Sequence, residues 1–301
     1  MKDLRADVAA VSLPAPGRGT FVDFVGLTKP RLNLLVVATS AAGYYLGAPG
    51  TPEPGPMLQA VAGTALVAAG AAVLNQVVER DTDALMRRTR GRALPDGRVL
   101  PGDARLFGAV VSVAGLALLA AQRQLIAGGL ALATLIIYLA IYTPLKRRTS
   151  LATLVGAVPG ALPPLIGWTA SHGRITSGGA ALFAIVFLWQ IPHFMAIAWM
   201  YRDDYAKAGF PMLPVIDPAG RRAARQAVVY AAALIPVSAV PTLTGVSGAA
   251  YLIVAMGLGL GLLGLAISFA AARTDQSARR LFFGSITYLP ILWIAMIANR
   301  L

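Results

Sequence analysis

Asn75, Glu79 and Asp83 stand at i, i+4 and i+8, so on one continuous helix they share a face. An amide oxygen and two carboxylates along one stripe suit Mg²⁺, a hard cation that takes a few protein oxygens and completes its shell with substrate phosphates. Arg80, Arg87 and Arg88 lie in the same stretch, and their planar forks match phosphate oxygens. Asp81 falls away from the stripe and suits pairing with a neighbouring arginine. The plainer alternative is a helix end with compensating surface ion pairs. In so apolar a chain, ionisable residues beside a span point to function by default.

A second acidic stretch repeats the pattern. Asp203 and Asp204 are followed by Lys207, and Gly209, Pro211 and Pro214 then predict a rigid turn. Those carboxylates are candidates for a second Mg²⁺ or for the same diphosphate, with Asp204 as the ligand. Just upstream runs Trp189-Gln190-Ile191-Pro192-His193-Phe194. His193 can ligate haem iron, since imidazole is a common haem ligand; the plainer reading is a polar histidine hydrogen-bonded between helices. Between the two stretches lie Tyr142, Lys146 and Arg147. A tyrosine closing a span ordinarily anchors it at the interface, and a Lys-Arg-Arg run ordinarily sets topology. Beside a second charged site, these three become candidates for contact with a diphosphate.

The elements that must hold these residues are membrane spans. Of 301 residues, 57% are hydrophobic and 13% charged, far below the charged share that a soluble surface carries. The apolar residues fall in long blocks rather than short stripes, which predicts an all-α polytopic membrane protein. Nine spans are expected, at 32–46, 57–78, 106–121, 125–142, 151–169, 178–200, 223–241, 249–272 and 281–298. With a cytoplasmic N-terminus, 23 of the 26 Lys and Arg fall on the cytoplasmic side, as do 12 of the 13 Asp and Glu. The bases obey the positive-inside rule; the acids need not, so their segregation marks one face as the seat of chemistry. Residues 1–25 are expected as a cytoplasmic arm and 26–301 as a single membrane domain, with the acidic motifs in cytoplasmic loops 79–105 and 201–222. The two loops follow the second and sixth spans, an echo of two similar halves.

Other features narrow the classes. The chain has no cysteine, which excludes disulfides, thiolate metal sites and thiol nucleophiles. The net charge of +13 fits basic loops against anionic lipid, a lipid bilayer rather than nucleic acid being the expected partner. The N-terminal residues lack the apolar core of a cleaved signal peptide.

Taken in order, the motifs resemble the UbiA-type intramembrane prenyltransferases, and among them the protohaem IX farnesyltransferase (haem O synthase) family. The resemblance rests on Thr28-Lys29-Pro30-Arg31, on Asn75, Glu79, Asp81, Asp83, Met86, Arg88 and Thr89, and on Tyr142-Thr143 with Leu145-Lys146-Arg147 and Thr149. It extends through Gly160-Ala161, Pro163-Pro164 and Gly167-Trp168, then Trp189-Gln190 with Pro192-His193-Phe194, and ends on Asp203-Asp204-Tyr205, Ala208-Gly209 and Pro211 to Pro214. The broader superfamily carries Asp where Glu79 stands and a spaced Asp pair in the second loop.

This resemblance implies a nine-helix UbiA-like bundle in the cell inner membrane. It implies farnesyl diphosphate and protohaem IX (haem B, a substrate rather than a cofactor) as substrates, and haem O and diphosphate as products, with water added at the vinyl group. Mg²⁺ on Asn75, Glu79, Asp83 and Asp204 would act as Lewis acid on the leaving group. Catalytic roles fall to Asn75, Glu79, Asp83, Lys146 and Tyr142. Substrate contacts fall to Arg80, Arg88, Arg147, Asp203, Asp204, Lys207 and His193. A downstream haem A synthase is a candidate contact that no residue here specifies. Two other readings stay open: a prenyltransferase for an aromatic or quinone-precursor acceptor, and a non-enzymatic transporter. Transporters place charged contacts near the midplane in broken helices, where this sequence has almost none.

Overall fold

The computed structural model describes residues 19–121 and 125–301. Most of the expected arm, residues 1–18, lies outside the described residues. The elements run α1 (Phe21–Leu27), α2 (Pro30–Gly47), α3 (Pro54–Val78), α4 (Arg80–Leu85), α5 (Pro101–Ala121) and α6 (Leu125–Ile136). The last continues through a π-helical segment, Ile137–Tyr142, into the single turn α7 (Thr143–Leu145). Then follow α8 (Ala152–His172), α9 (Ser177–Met200), α10 (Arg202–Lys207), α11 (Leu213–Ile216), α12 (Arg221–Leu243), α13 (Ala249–Ala272) and α14 (Asp275–Ala298). Among the described residues there is no strand beyond an isolated bridge, Ser247 to Arg300.

Each expected span falls on a long helix. Seven are long and apolar enough to cross a membrane, the stretch Leu125–Leu145 counting as one. The other two, α2 and α8, are bound to each other by backbone contact. A Cβ on Gly43 would overlap the backbone of Pro164, and one on Gly167 would overlap the carbonyl of Ser40. Small residues at such crossings let helices approach closely where lipid supplies no hydrophobic drive. Gly70 and Gly115 do the same for α3 against α5, facing Ser112 and the carbonyl of Gly63.

The core is built from two large clusters. One joins α9, α12, α13 and α14 through residues such as Ile185, Leu234, Phe269 and Leu289; the other joins α2, α3, α6 and α8 through Tyr44, Val67, Ala131 and Ile166. The outward faces are apolar too, with Val113 64%, Ile253 74% and Ile294 66% exposed. In water such surface would drive aggregation; in a bilayer it faces lipid. The chain is a multi-pass membrane protein. A smaller cluster sits at the charged end of the bundle: Met86, beyond α4, packs with Ala208, Phe210 and Met212 between α10 and α11. The two acidic loops therefore meet.

Candidate active site at the mouth of an apolar cavity

At the charged end of the bundle, α2, α3, α6, α8 and α9 enclose a cavity of about 380 Å³, within the range of small-molecule sites. Lys29, Tyr142, Tyr205 and Met212 line its charged end, while Thr64 and Ile166 lie deepest. Thr64 stands well over three turns from the end of α3, so the cavity reaches roughly 20 Å into the bundle. Its interior is mostly apolar, with Thr64, Thr134 and Gln190 as polar side chains in the wall and Lys29, Tyr142 and Tyr205 at the charged end.

The metal-type stripe survives a break in the helix. Glu79 leaves helical geometry between α3 and α4, yet its N–H still donates to Asn75 O at 2.9 Å and its carbonyl still accepts from Asp83 N at 2.8 Å. Asn75, Glu79 and Asp83 are all buried. Asn75 Nδ2 donates to Thr143 Oγ1 at 3.0 Å, and Thr143 Oγ1 in turn donates to Tyr138 O at 2.7 Å. The π-helical segment supplies that geometry, and such segments recur at functional sites.

Each buried carboxylate has its own cation. Lys146 Nζ donates to both oxygens of Glu79, at 2.9 and 3.2 Å, and sits 4.9 Å from the Tyr142 ring centre and 5.7 Å from that of Phe210. Burial opposes the Lys146 charge, but the Tyr142 side chain and the Glu79 carboxylate outweigh it and hold the ammonium above its ordinary range. Arg92 pairs with Asp83 at 2.7 Å, and Thr89 Oγ1 donates to the Asp83 carbonyl at 2.7 Å, folding the loop back on the stripe.

Lys29 completes the rim in a left-handed backbone conformation, φ 51°, directly before Pro30. Burial, then the nearby positive charges of Arg92 and Lys146, push its amine down to about 7 against the pull of Glu79 and Asp83.

The other sequence candidates lie further out. Arg80 pairs with Asp81 at 3.0 Å on the surface, Arg88 stacks 5.2 Å from the Tyr201 ring centre, and Arg147 is exposed. Asp203 and Lys207 are exposed and Asp204 half-buried on α10, none of the three in an ion pair among the described residues. No group of three or more acidic or histidine side chains placed to hold a metal occurs among the described residues, so Asp204 does not join Glu79 and Asp83. His193, like Asn75, Glu79, Asp83, Arg92 and Lys146, lies outside the cavity lining, but it takes no part in the ion-paired cluster. It is stacked between Trp189 and Phe282, with Nδ1 2.8 Å from Ser285 Oγ.

Sequence reasoning did not single out Lys29, Arg92, Tyr138, Gln190 or Tyr205 as site residues. Tyr138 was detectable as the residue one turn before Tyr142, and their rings lie 5.3 Å apart. Arg92 carries no local signal, since only the folded-back loop brings it to Asp83.

Two buried carboxylates with their own cations thus lie beside the charged end of a largely apolar cavity. Residues 36–289 match the UbiA prenyltransferase family. The chain belongs to the UbiA prenyltransferase family. Over 287 residues it is 46% identical to the protoheme IX farnesyltransferase of Solibacter usitatus, covering 92% of this chain and 98% of that protein. The protoheme IX farnesyltransferase of Opitutus terrae is 45% identical over 93% of this chain and 95% of its own length. Among solved structures, a digeranylgeranylglyceryl phosphate synthase superposes with TM-score 0.77 at 16% identity, over 92% of this chain and 97% of that one. This UbiA prenyltransferase thus shares its fold with enzymes of very different sequence.

Proposed function

We propose that the protein transfers the farnesyl group of farnesyl diphosphate to a vinyl group of protohaem IX, with addition of water, giving haem O and diphosphate. The observation that carries this is the pairing of a largely apolar cavity, lined at its charged end by Lys29 and Tyr142, with two buried carboxylates beside it, Glu79 and Asp83, held by Lys146 and Arg92 and close enough to act on the Lys29 charge. The full-length relatives above bear the protoheme IX farnesyltransferase name, which supports haem as acceptor.

Two carboxylates one turn apart fit Mg²⁺ shared with a diphosphate, because that ion takes one or two carboxylates and fills its shell with phosphate and water. They do not make an all-protein cage. A UbiA homolog from Archaeoglobus fulgidus, 17% identical over 92% of this chain and 99% of that chain with TM-score 0.64, was solved with GPP and Mg²⁺. When bound, the ion supplies Lewis-acid stabilisation of the leaving diphosphate. Asn75, Glu79 and Asp83 would hold it, and Asp204, half-buried on α10, would join only through a second cation shared with the diphosphate. Lys146, Arg92 and Lys29 stabilise the negative charge that builds on the phosphate oxygens, from fixed positions. Arg80, Arg88, Arg147 and Lys207 form the outer approach, steering an anion to the mouth, while the Asp203 carboxylate would act only through a bound cation. Tyr142 and Tyr138 wall the allylic carbon off from bulk water, which protects the cationic character that develops there.

Charge segregation supports an orientation with the N-terminus and both acidic loops in the cytoplasm and the C-terminus opposite, in the cell inner membrane. The test is transfer by the purified protein in liposomes containing Mg²⁺ and farnesyl diphosphate. Haem is expected to accept the chain and a hydroxybenzoate to remain unmodified; the reverse preference overturns the assignment of acceptor.

A further inference from the structure

Gln190 is buried in α9 and lines the cavity. Its Nε2 donates to Ala157 O at 3.2 Å and to Val186 O at 3.1 Å. Those two bonds fix the amide flip and leave Oε1 as an acceptor with no donor among the described residues. Oε1 rests on Gly160, where a Cβ would overlap it. One turn earlier on the same helix, Gly156 carries the Tyr142 ring in the same way. The amide oxygen therefore lies about one helical turn, roughly 5 Å, deeper than the tyrosine that borders the diphosphate end.

The backbone beside it is short of donors as well. Pro163 and Pro164 carry no N–H, so the carbonyls of Pro159 and Gly160 lose their helical partners. Pro159, Gly160 and Gln190 all line the cavity. By contrast, Thr134 Oγ1 and Thr64 Oγ1, also in the lining, donate to Leu130 O and Ala60 O of their own helices at 2.8 Å each. Gln190 lines the cavity, so its free acceptor opens to that space and is completed by a ligand or water that donates.

We infer that Gln190 Oε1, with the Pro159 and Gly160 carbonyls, holds the water molecule that is added to the acceptor. The inference rests on the farnesyl-transfer reading. The vinyl β-carbon attacks C1 of the farnesyl group as the C1–O bond breaks and its electron pair leaves with diphosphate. Positive charge then sits on the vinyl α-carbon, next to the porphyrin ring. A water whose two O–H bonds are taken by fixed acceptors presents its lone pair to that carbon. The C–O bond forms, and the surplus proton passes to the departing diphosphate. Without a held water, the same cation sheds a proton and becomes an alkene, lighter than the hydroxylated product by one water.

The product ratio tests this, with two variants read by mass spectrometry. Gln190→Met removes the amide oxygen at similar length. Gly160→Ala keeps Gln190 and pushes Oε1 aside, at a position where alanine favours the helix. Both are expected to shift product from the hydroxylated to the dehydrated porphyrin by tenfold or more. Wholly hydroxylated product from either active variant, at whatever rate, overturns the proposal and leaves Gln190 as an α8–α9 tie. Loss of all transfer in both variants also overturns it, placing Gln190 in substrate binding. Wild-type protein that makes no farnesylated haem would instead refute the reading of function on which the inference stands.

Discussion

Glu79 and Asp83 are buried carboxylates, each neutralised by one cation, Lys146 and Arg92. Burying an ion pair gains little stability on balance, because desolvation consumes the attraction. Their retention is better explained by the chemistry of a charged ligand. Asp83→Asn is expected to lower Mg²⁺-dependent diphosphate release on the order of a hundredfold, with the protein still in the membrane; near-normal turnover would remove Asp83 from the metal role. Lys29 gives a pH signature. Its amine, pushed down to about 7 in the free protein, is neutral at higher pH, whereas the diphosphate binds its charged form. So kcat/KM for farnesyl diphosphate should fall as pH rises above about 7, and Lys29→Arg should flatten that limb. A profile unchanged by the substitution would exclude Lys29 from substrate contact. His193, stacked between two helices with its ring on Ser285, should behave as a packing residue: His193→Ala lowers thermal stability while haem affinity, measured by absorbance titration, stays within a few-fold. A large affinity loss would restore it as a haem contact.

At the scale of elements, close helix crossings place the stripe and the cavity wall. The α2–α8 crossing sets Lys29 and the Gly156–Gly160 surface around one cavity, and Gly43 and Gly167 allow that approach. Gly43→Val should cost at least 1–3 kcal/mol by overpacking, seen as a lower melting temperature in detergent. Gly257→Ala, with open space around it, is the matched control and should be neutral. Much of this layer was legible in the sequence. The expected spans 57–78, 178–200 and 249–272 fall on α3, α9 and α13, because nothing but a helix satisfies backbone polar groups in lipid. The short helices were less so. Hydropathy carries no signal for α1, α4, α10 or α11, and the π-helical segment over Ile137–Tyr142 is a hydrogen-bonding choice that apolar composition does not encode. The stripe at i, i+4 and i+8 was readable; the fold-back that delivers Arg92, and the left-handed turn that aims Lys29, depend on tertiary contact.

At the scale of the molecule, one-sided charge and one cavity mouth coincide. Bases alone would follow from membrane insertion, but Glu79, Asp83 and Asp204 share their end of the bundle with Lys29, Lys146 and Arg92. The meeting of the two acidic loops through Met86 and Phe210 makes that end a single mouth rather than two surfaces. The absence of cysteine makes the orientation easy to read: a cysteine at Arg148 should react with an impermeant thiol reagent only from the cytoplasmic side, and one at Arg174 only from the other. The central claim, that this mouth joins a farnesyl chain to haem, has one most direct measurement. The chain is expressed in cells unable to make haem O, and the extracted haem is weighed by mass spectrometry. A haem heavier than protohaem by one farnesyl group plus one water is the expected result. Unmodified protohaem, from cells holding folded protein in the membrane, would contradict it.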